Sequence, residues 1–232
     1  MKAIVLAAGV GSRLGELTRD KPKCMLPIAG RPLLDYWCET LANARVSEVY
    51  INTHHHAEQV RKYIAQKPHG ISFTEGYEST LLGSAGTLRA AHDFVSAEES
   101  FFIIYADNYV ELNLNRLKTF YDLSGQPPLV LVAYPTQEPT RCGILEMEPD
   151  GRVISFEEKP THPKSSFANS GIHVATPELY QWVPRSLPAD IGFQVLPQLV
   201  GKMYAYVTNE FIQDIGTPDA YAAVCARRER GK

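Results

Sequence analysis

Five apolar residues, Ala3-Ile4-Val5-Leu6-Ala7, run without a polar break from Lys2 into Ala8-Gly9-Val10-Gly11. A strand with one face in water alternates apolar and polar side chains, so an unbroken run of this length reads as a strand covered on both faces. It is too short for a membrane span or the core of a signal peptide, and it runs into glycine instead of a cleavage site. A strand buried on both sides needs helices above and below it, and the chain supplies that pattern. Leu34, Trp37, Cys38 and Leu41 recur at helical spacing, and "VSEVYINT" returns as a strand. "AEQVRKYI" then reads as helical, "ISFTE" as extended, "GTLRAAHDF" as helical and "FFIIYA" as a fully buried strand, while "NRLKTFYDL" is helical behind the N-cap Asn113. Such alternation predicts an α/β protein whose central sheet is mixed, mainly parallel, with helices on both faces.

After "LVLVAYP" the texture changes. "GILEMEPDGRVISFEEKP" is two alternating runs joined by Pro149-Asp150-Gly151, which predicts a hairpin and a more antiparallel second half. Thr176-Pro177-Glu178 and Thr217-Pro218-Asp219 each place an N-cap, a proline and an acidic first turn in order, predicting two late helices. With 232 residues, 44% hydrophobic content and no long linker or low-complexity tract, one large domain is expected.

A net charge of −3 without a block of basic residues excludes nucleic acid and anionic membrane as main partners, so any bound anion should be small and held locally. Cys24, Cys38, Cys142 and Cys225 are far apart and form no C-x-x-C pair, as expected in the cytoplasm and against a structural zinc site. His54-His55-His56 falls between a strand and a helix and reads as polar loop, not as a metal tract. Trp37 and Trp182 stand at helical spacing among apolar neighbours and read as core.

The stretch "AGVGSRLGELTRDKPK", residues 8 to 23, carries the chemistry. Glycines at a strand end let backbone N–H groups approach phosphate oxygens without Cβ atoms in the way. The dinucleotide fingerprint G-x-G-x-x-G is not met, since the glycines fall at 9, 11 and 15 and Leu14 holds the third position; no Walker lysine follows either. Arg13 can grip phosphates bidentately, and Lys23 is a point charge behind Pro22. Two cations on a glycine turn suit a triphosphate better than a dinucleotide.

The run from "LAAG" through "GSRL", "LT", "KPK", "LP" and "GRPLL" resembles the opening signature of the sugar-1-phosphate nucleotidylyltransferases, also called nucleotide-sugar pyrophosphorylases. Further matches follow in the family's order: "LLGSAGTL" at 81–88, "YADN" at 105–108, "CGILEMEPDGRVISFEEKP" at 142–160, "NSGIHV" at 169–174 and "DIGTPDAY" at 214–221. The resemblance covers nearly the whole chain. It implies a Rossmann-like fold of the nucleotide-diphospho-sugar transferase type with a β-hairpin-rich sugar-binding half. It also implies that residues 1–232 form one catalytic domain, without the C-terminal left-handed β-helix that many relatives carry.

By resemblance, Leu6, Ala8, Gly9, Gly11, Ser12, Arg13, Lys23, Gly83, Gly86 and Asp107 bind the nucleoside triphosphate, with Arg13 and Lys23 as the catalytic cations. Gly143, Glu158, Lys159 and Asn169 take the sugar 1-phosphate. Asp107 and Asp214 hold magnesium, with manganese as a possible substitute; Asp107 ends an apolar strand, where ligands bind in open α/β sheets, and a hard carboxylate there suits that ion. The branch most resembled uses GTP with mannose or manno-heptose 1-phosphate. UTP-, dTTP- or CTP-dependent transfer to a glucose-type sugar is the alternative, and a regulatory subunit that binds a nucleotide-sugar without turnover is the alternative of another class. The resemblance leaves a homodimer open. Two positions depart from the family pattern: Gly15-Glu16 stands where a proline is common, and Cys142 stands where many members carry tyrosine.

Overall fold

A computed structural model describes residues 1–231. In chain order its elements begin with β1 (Lys2–Leu6), β2 (Pro27–Ile28), β3 (Arg31–Pro32), α1 (Leu33–Asn43), β4 (Glu48–Thr53), α2 (Ala57–Ile64) and β5 (Ser72–Tyr77). There follow α3 (Ser84–Ala90), α4 (His92–Val95), β6 (Phe101–Tyr105), β7 (Asn108–Val110), α5 (Leu114–Leu123) and β8 (Leu129–Pro135). The last part holds β9 (Gly143–Met147), β10 (Val153–Glu158), β11 (Phe167–Ala175), β12 (Tyr204–Val207), β13 (Ile212–Asp214) and α6 (Pro218–Arg230).

The large sheet runs β10-β9-β11-β6-β1-β4-β5, with β8 pairing β11 and β12. Around β1 it is parallel, with β4 and β6 as neighbours and β5 beyond β4. Around β11 it is antiparallel, and β9 and β10 form the expected hairpin. The opening run is buried on both faces, as its lack of alternation requires. Ala3 and Val5 pack with Leu34, Trp37 and Leu41 of α1 on one side, while Ile4 packs with Leu88 of α3 and Leu196 on the other. Alternate side chains of one strand therefore feed two separate cores.

Two of the three anticipated helix starts are capped. Asn113 Oδ1 accepts from Asn115 N–H at 3.0 Å, and Thr217 Oγ1 accepts from Ala220 N–H at 3.3 Å, directly before α5 and α6. The third differs. Behind Thr176 the chain forms only a 3-10 turn, Pro177–Gln181, and the Thr176 hydroxyl is buried without a partner. Pro184 and Pro188 lack the N–H groups a longer helix would need, so the segment turns away. Trp182, anticipated as core, is consequently only half-buried, with the Lys202 ammonium 4.9 Å from its ring centroid. The helix expected over "GTLRAAHDF" breaks at Ala91, where ψ is 4°, into α3 and α4.

Parallel register brings Leu6 level with Asn52 of β4 and with Tyr105 of β6. β4 lies on one side of β1 and β6 on the other, so a crevice opens at the carboxyl ends of these strands. The β13–β7 ladder, which sets Asp214 opposite Asn108, carries the end of the chain to the same edge. Among the described residues no helix is long and apolar enough to cross a membrane.

Candidate active site

The crevice at the end of β1 is a cleft of about 270 Å³. Leu6, Ala8 and Gly9 line one side and Leu81, Gly83 and Ser84 the other. Its walls are tied together by one buried polar network. Asn52 Oδ1 accepts from Ala7 N–H at 2.6 Å and from Ala8 N–H at 3.2 Å. Its Nδ2 donates to Glu78 Oε1 at 2.8 Å and to Thr87 Oγ1 at 2.9 Å. Glu78 Oε2 in turn accepts from Leu82 N–H at 3.0 Å. The three side chains, Asn52, Glu78 and Thr87, are all buried and partnered, the condition under which a polar network rigidifies what it connects. It connects the opening loop, the loop after β5 and helix α3.

Gly83 has a positive φ of 76°, and a Cβ there would collide with the carbonyl oxygen of Ala189. That oxygen accepts from Ala85 N–H at 2.9 Å and Gly86 N–H at 3.2 Å. Only glycine allows this approach. Ser84 Oγ donates to Asp190 Oδ2 at 2.7 Å and accepts from Ile191 N–H at 2.8 Å, so the cleft wall is latched to the segment after Ala189.

Lys23 closes the inner end of the cleft. The turn around it, Lys23–Met25, follows Pro22, whose extended backbone points the side chain inward. Its ammonium is 3.1 Å from Asp107 Oδ2 and 2.7 Å from Asp214 Oδ1. The lysine side chain is 7% exposed, whereas the two carboxylates are 43% and 45% exposed, so a buried cation fixes two acids that still face water. Ile215 N–H donates to the Asp107 carbonyl at 3.2 Å, which adds a backbone tie between the two motifs. Arg13, on the exposed loop, reaches 3.7 Å from Asp214 Oδ2. Gly216 leaves the room for this pair, since a Cβ there would stand 2.8 Å from the Arg13 guanidinium.

Beyond Asp107 lies a second cleft of about 230 Å³, lined by Gly143, Glu158, Lys159, Asn169, Asp190 and Gly192 among others. Asp107 lines both clefts and therefore marks their junction. Glu158 is seated between two glycines, with its Oε2 only 2.5 Å from where a Cβ would stand at Gly143 and at Gly192. Burial pushes its carboxyl above the ordinary value; Lys159, 3.9 Å away, opposes that shift and Asp190 adds to it. Gly192 and Phe193 donate their N–H groups to Asp190 Oδ1 at 2.8 and 3.3 Å, which holds the far wall. Lys159 takes a positive φ of 51° and hydrogen-bonds the Cys142 carbonyl through its N–H at 3.0 Å, aiming its side chain out along the cleft mouth.

The sequence pattern that defines the nucleotidyl transferase family matches residues 2–230. The chain belongs to that family. It is 29% identical over 225 residues to a mannose-1-phosphate guanyltransferase of Neurospora crassa, a match covering 94% of this chain and 61% of that protein. It is 27% identical over 242 residues to a UTP–glucose-1-phosphate uridylyltransferase of Synechocystis, covering 97% of this chain and 62% of that one. The chain thus spans about three fifths of the length of these curated relatives. Among solved structures, HddC from Yersinia pseudotuberculosis complexed with GMP-PN superposes with a TM-score of 0.81 at 26% identity, covering 98% of this chain and 99% of that one.

The motif residues of this chain fall into three groups. Leu6, Ala8, Gly9, Lys23, Gly83 and Asp107 line the first cleft, and Gly143, Glu158, Lys159, Asn169, Asp107 and Asp214 line the second. Gly11, Ser12, Arg13 and Gly86 line neither; Arg13 lines a third cleft that also touches Asp107, Lys159 and Asp214. Gly11 sits at a positive φ of 67° and opens the 3-10 stretch Ser12–Thr18, and Gly86 packs against Leu82 and Leu187. Gly15, in place of the common proline, takes a φ of 54° inside that stretch. The N–H of Ala8 is spent on Asn52, so its contribution to the cleft is its small size.

Sequence reasoning passed over Asn52, Glu78, Thr87, Ser84 and Asp190. The only local signal was a polar residue at the end of a buried strand, Asn52 after "VYI", where an apolar one would cost less. Asn108, which carried no assignment, donates through Nδ2 to the Ser170 carbonyl at 2.7 Å and ties the Asp107 motif to the "NSG" segment. The histidine run binds backbone: His54 Nδ1 lies 2.7 Å from the Glu78 carbonyl and His56 Nε2 2.8 Å from that of Arg19. Among the described residues no three His, Cys, Asp or Glu side chains gather as a metal cluster.

Proposed function

We propose that this chain transfers a nucleotidyl group from a nucleoside triphosphate to a sugar 1-phosphate, releasing pyrophosphate, with GTP and mannose or manno-heptose 1-phosphate as the substrate pair. The observation that carries the reading is the junction itself: two clefts meet at Asp107, and a buried lysine stands between Asp107 and Asp214 at that point. Two polyanions must be brought end to end, and a low-exposure cation at their meeting place is what such a reaction needs.

In this reading the first cleft takes the base and ribose against Gly83 and the small residues ending β1. Arg13 and Lys23 grip the phosphates. Glu158 accepts hydrogen bonds from hydroxyls of the sugar, and Lys159 holds its phosphate at the mouth of the second cleft. A phosphate oxygen of the sugar 1-phosphate attacks the α-phosphorus, the bond from that phosphorus to the oxygen bridging to the β-phosphate breaks, and pyrophosphate leaves with the bonding pair. No covalent enzyme intermediate is required. Lys23 is fixed before substrate arrives, so its charge costs no reorganisation as negative charge moves to the leaving group.

Asp107 and Asp214 also fit a divalent cation. Both are hard oxygen donors, both keep an exposed face, and both already converge on one cation, the Lys23 ammonium. Magnesium or manganese held there would supply further neutralisation of the triphosphate when bound. The choice of GTP and a manno-configured sugar is supported by the likeness to the Neurospora mannose-1-phosphate guanyltransferase and to HddC in complex with GMP-PN; the Synechocystis relative keeps uridylyl transfer to glucose 1-phosphate as the second reading.

The test is a pyrophosphate-release panel that crosses GTP, UTP, dTTP and CTP with mannose, glucose and manno-heptose 1-phosphates, with and without chelator. Turnover confined to GTP and manno sugars supports the pair, turnover with glucose 1-phosphate and another triphosphate selects the second reading, and no turnover in any well refutes the reaction. Full turnover in excess chelator refutes the metal role of Asp107 and Asp214.

A further inference from the structure

His173 is fully buried, and its Nδ1 is one of the few buried polar atoms without a partner. An apolar side chain would fill this place in β11 without the cost of an unpaired nitrogen, so the imidazole calls for an explanation. The explanation lies four residues upstream.

Between Asn169 and His173 the pairing of β11 with β8 slips its register. Such a bulge re-aims side chains. Gly171, at a φ of 75° with the Tyr105 ring packed where a Cβ would stand, forms its centre, and Asn108 braces it through the Ser170 carbonyl. Asn169 is thereby turned to line the second cleft. Its Oδ1 lies 3.1 Å from Gly171 N and 3.1 Å from His173 Nε2. A backbone N–H can only donate, so the amide atom facing it is the oxygen. The same oxygen faces His173, and Nε2 must therefore carry the proton. Nδ1 is then the bare nitrogen, which agrees with its lack of a partner. Burial alone holds the ring's pKa down at about 3, so it stays neutral and keeps this single proton across the working range.

We propose that His173 is a positioning residue for the sugar 1-phosphate: its Nε2–H locks the Asn169 amide so that Nδ2 is presented to the second cleft as a donor. The role rests on the reading of that cleft as the sugar site. A half-turn of the amide would set its NH₂ group against two donors, so the lock has one sense. Glu158 presents an acceptor in the same cleft, and Asn169 a donor. The pair recognises a sugar that offers one hydroxyl as donor and another as acceptor, and neither group must reorient when the sugar arrives.

The experiment uses the full chain and four variants, His173→Leu, His173→Gln, Asn169→Ala and the double variant His173→Leu/Asn169→Ala, with KM determined separately for each substrate. Loss of one neutral hydrogen bond that fixes a binding group should raise the KM for the sugar 1-phosphate about ten-fold in His173→Leu and leave that for the triphosphate within two-fold. His173→Gln, whose amide can donate from a similar position, should recover most of the loss, and the double variant should be no worse than Asn169→Ala. ¹⁵N NMR of the imidazole in the wild-type protein should show Nε2 protonated and Nδ1 bare from pH 5 to 9. The proposal is overturned by an Nδ1-protonated ring, by equal rises of both KM values, or by a silent His173→Leu beside a damaging Asn169→Ala. A silent Asn169→Ala overturns the sugar assignment of the cleft, and the positioning role with it. Should His173→Leu fail to fold, the tautomer measurement and His173→Gln decide.

Discussion

Replacing Lys23 by methionine separates the catalytic from the structural worth of the junction. The ammonium lies 2.7 Å from Asp214 and 3.1 Å from Asp107, on a side chain only 7% exposed. Those distances resemble a buried ion pair, whose rupture costs about 3–5 kcal/mol. The carboxylates, however, are 43% and 45% exposed, so water takes over their solvation once the lysine is gone, and each pair belongs near the surface range of about 0–1 kcal/mol. Methionine has similar length and fills the lysine's aliphatic channel. The expected stability loss is therefore about 1 kcal/mol, or roughly 2–4 °C in Tm for a chain of this size. Loss of a preorganised cation at the reacting phosphorus should instead cost about 10²–10³-fold in kcat, or roughly 2.7–4 kcal/mol. Pyrophosphate release at saturating substrate, run beside a thermal melt, reads both numbers. Turnover within ten-fold of wild type would refute the catalytic role of Lys23, and a Tm lowered by more than about 10 °C would refute the surface-range estimate of its ion pairs.

Arg13→Ala should raise the KM for the triphosphate, and Lys159→Ala that for the sugar phosphate, each about ten- to a hundred-fold if a charge-assisted bond of roughly 1.5–3 kcal/mol is lost; equal losses for both substrates in both variants would refute the division. Burial raises the Glu158 carboxyl above its ordinary 4.5, so the folded state resists its ionisation, a penalty that is absent below pH 4.5 and complete above the raised value. Glu158→Gln should accordingly melt higher than wild type at pH 7, lose that advantage near pH 4, and bind the sugar phosphate poorly; a melting difference independent of pH would count against it. His173 is depressed from 6.5 to about 3 in the folded protein. Its contribution to stability is intact above pH 6.5 and erodes as the pH falls towards 3, because only the unfolded chain takes the proton. His173→Gln should flatten that acid limb, which urea titrations at several pH values would show. Gly83→Ala forces a Cβ into the Ala189 carbonyl at a positive φ, so it should lower stability by more than about 2 kcal/mol and displace the wall of the first cleft; an unchanged Tm would contradict the packing.

What the sequence by itself determined was whatever depends on neighbours a few residues away. The unbroken run from Ala3 to Ala7 required two covered faces, and Ile4 and Val5 do feed separate cores. Asn113 and Thr217 capped helices, and Pro149-Asp150-Gly151 turned a hairpin. The same local logic failed at Thr176, where two downstream prolines withheld the donors a helix needs, and at Ala91. Motif resemblance named part of the lining of the two clefts, Gly83 and Lys23 in one and Glu158 and Asn169 in the other among them, but only the tertiary structure decided how they meet. Lys23 lies 84 and 191 residues from the carboxylates that hold it. Asn52, Glu78 and Thr87 looked like ordinary members of a strand, a loop and a helix until parallel pairing set β4 beside β1 and brought all three into one network. Helix, cap and turn propensities act within a few residues of chain, whereas a buried polar side chain is satisfied only by whichever distant group the packed sheet delivers within 3 Å of it.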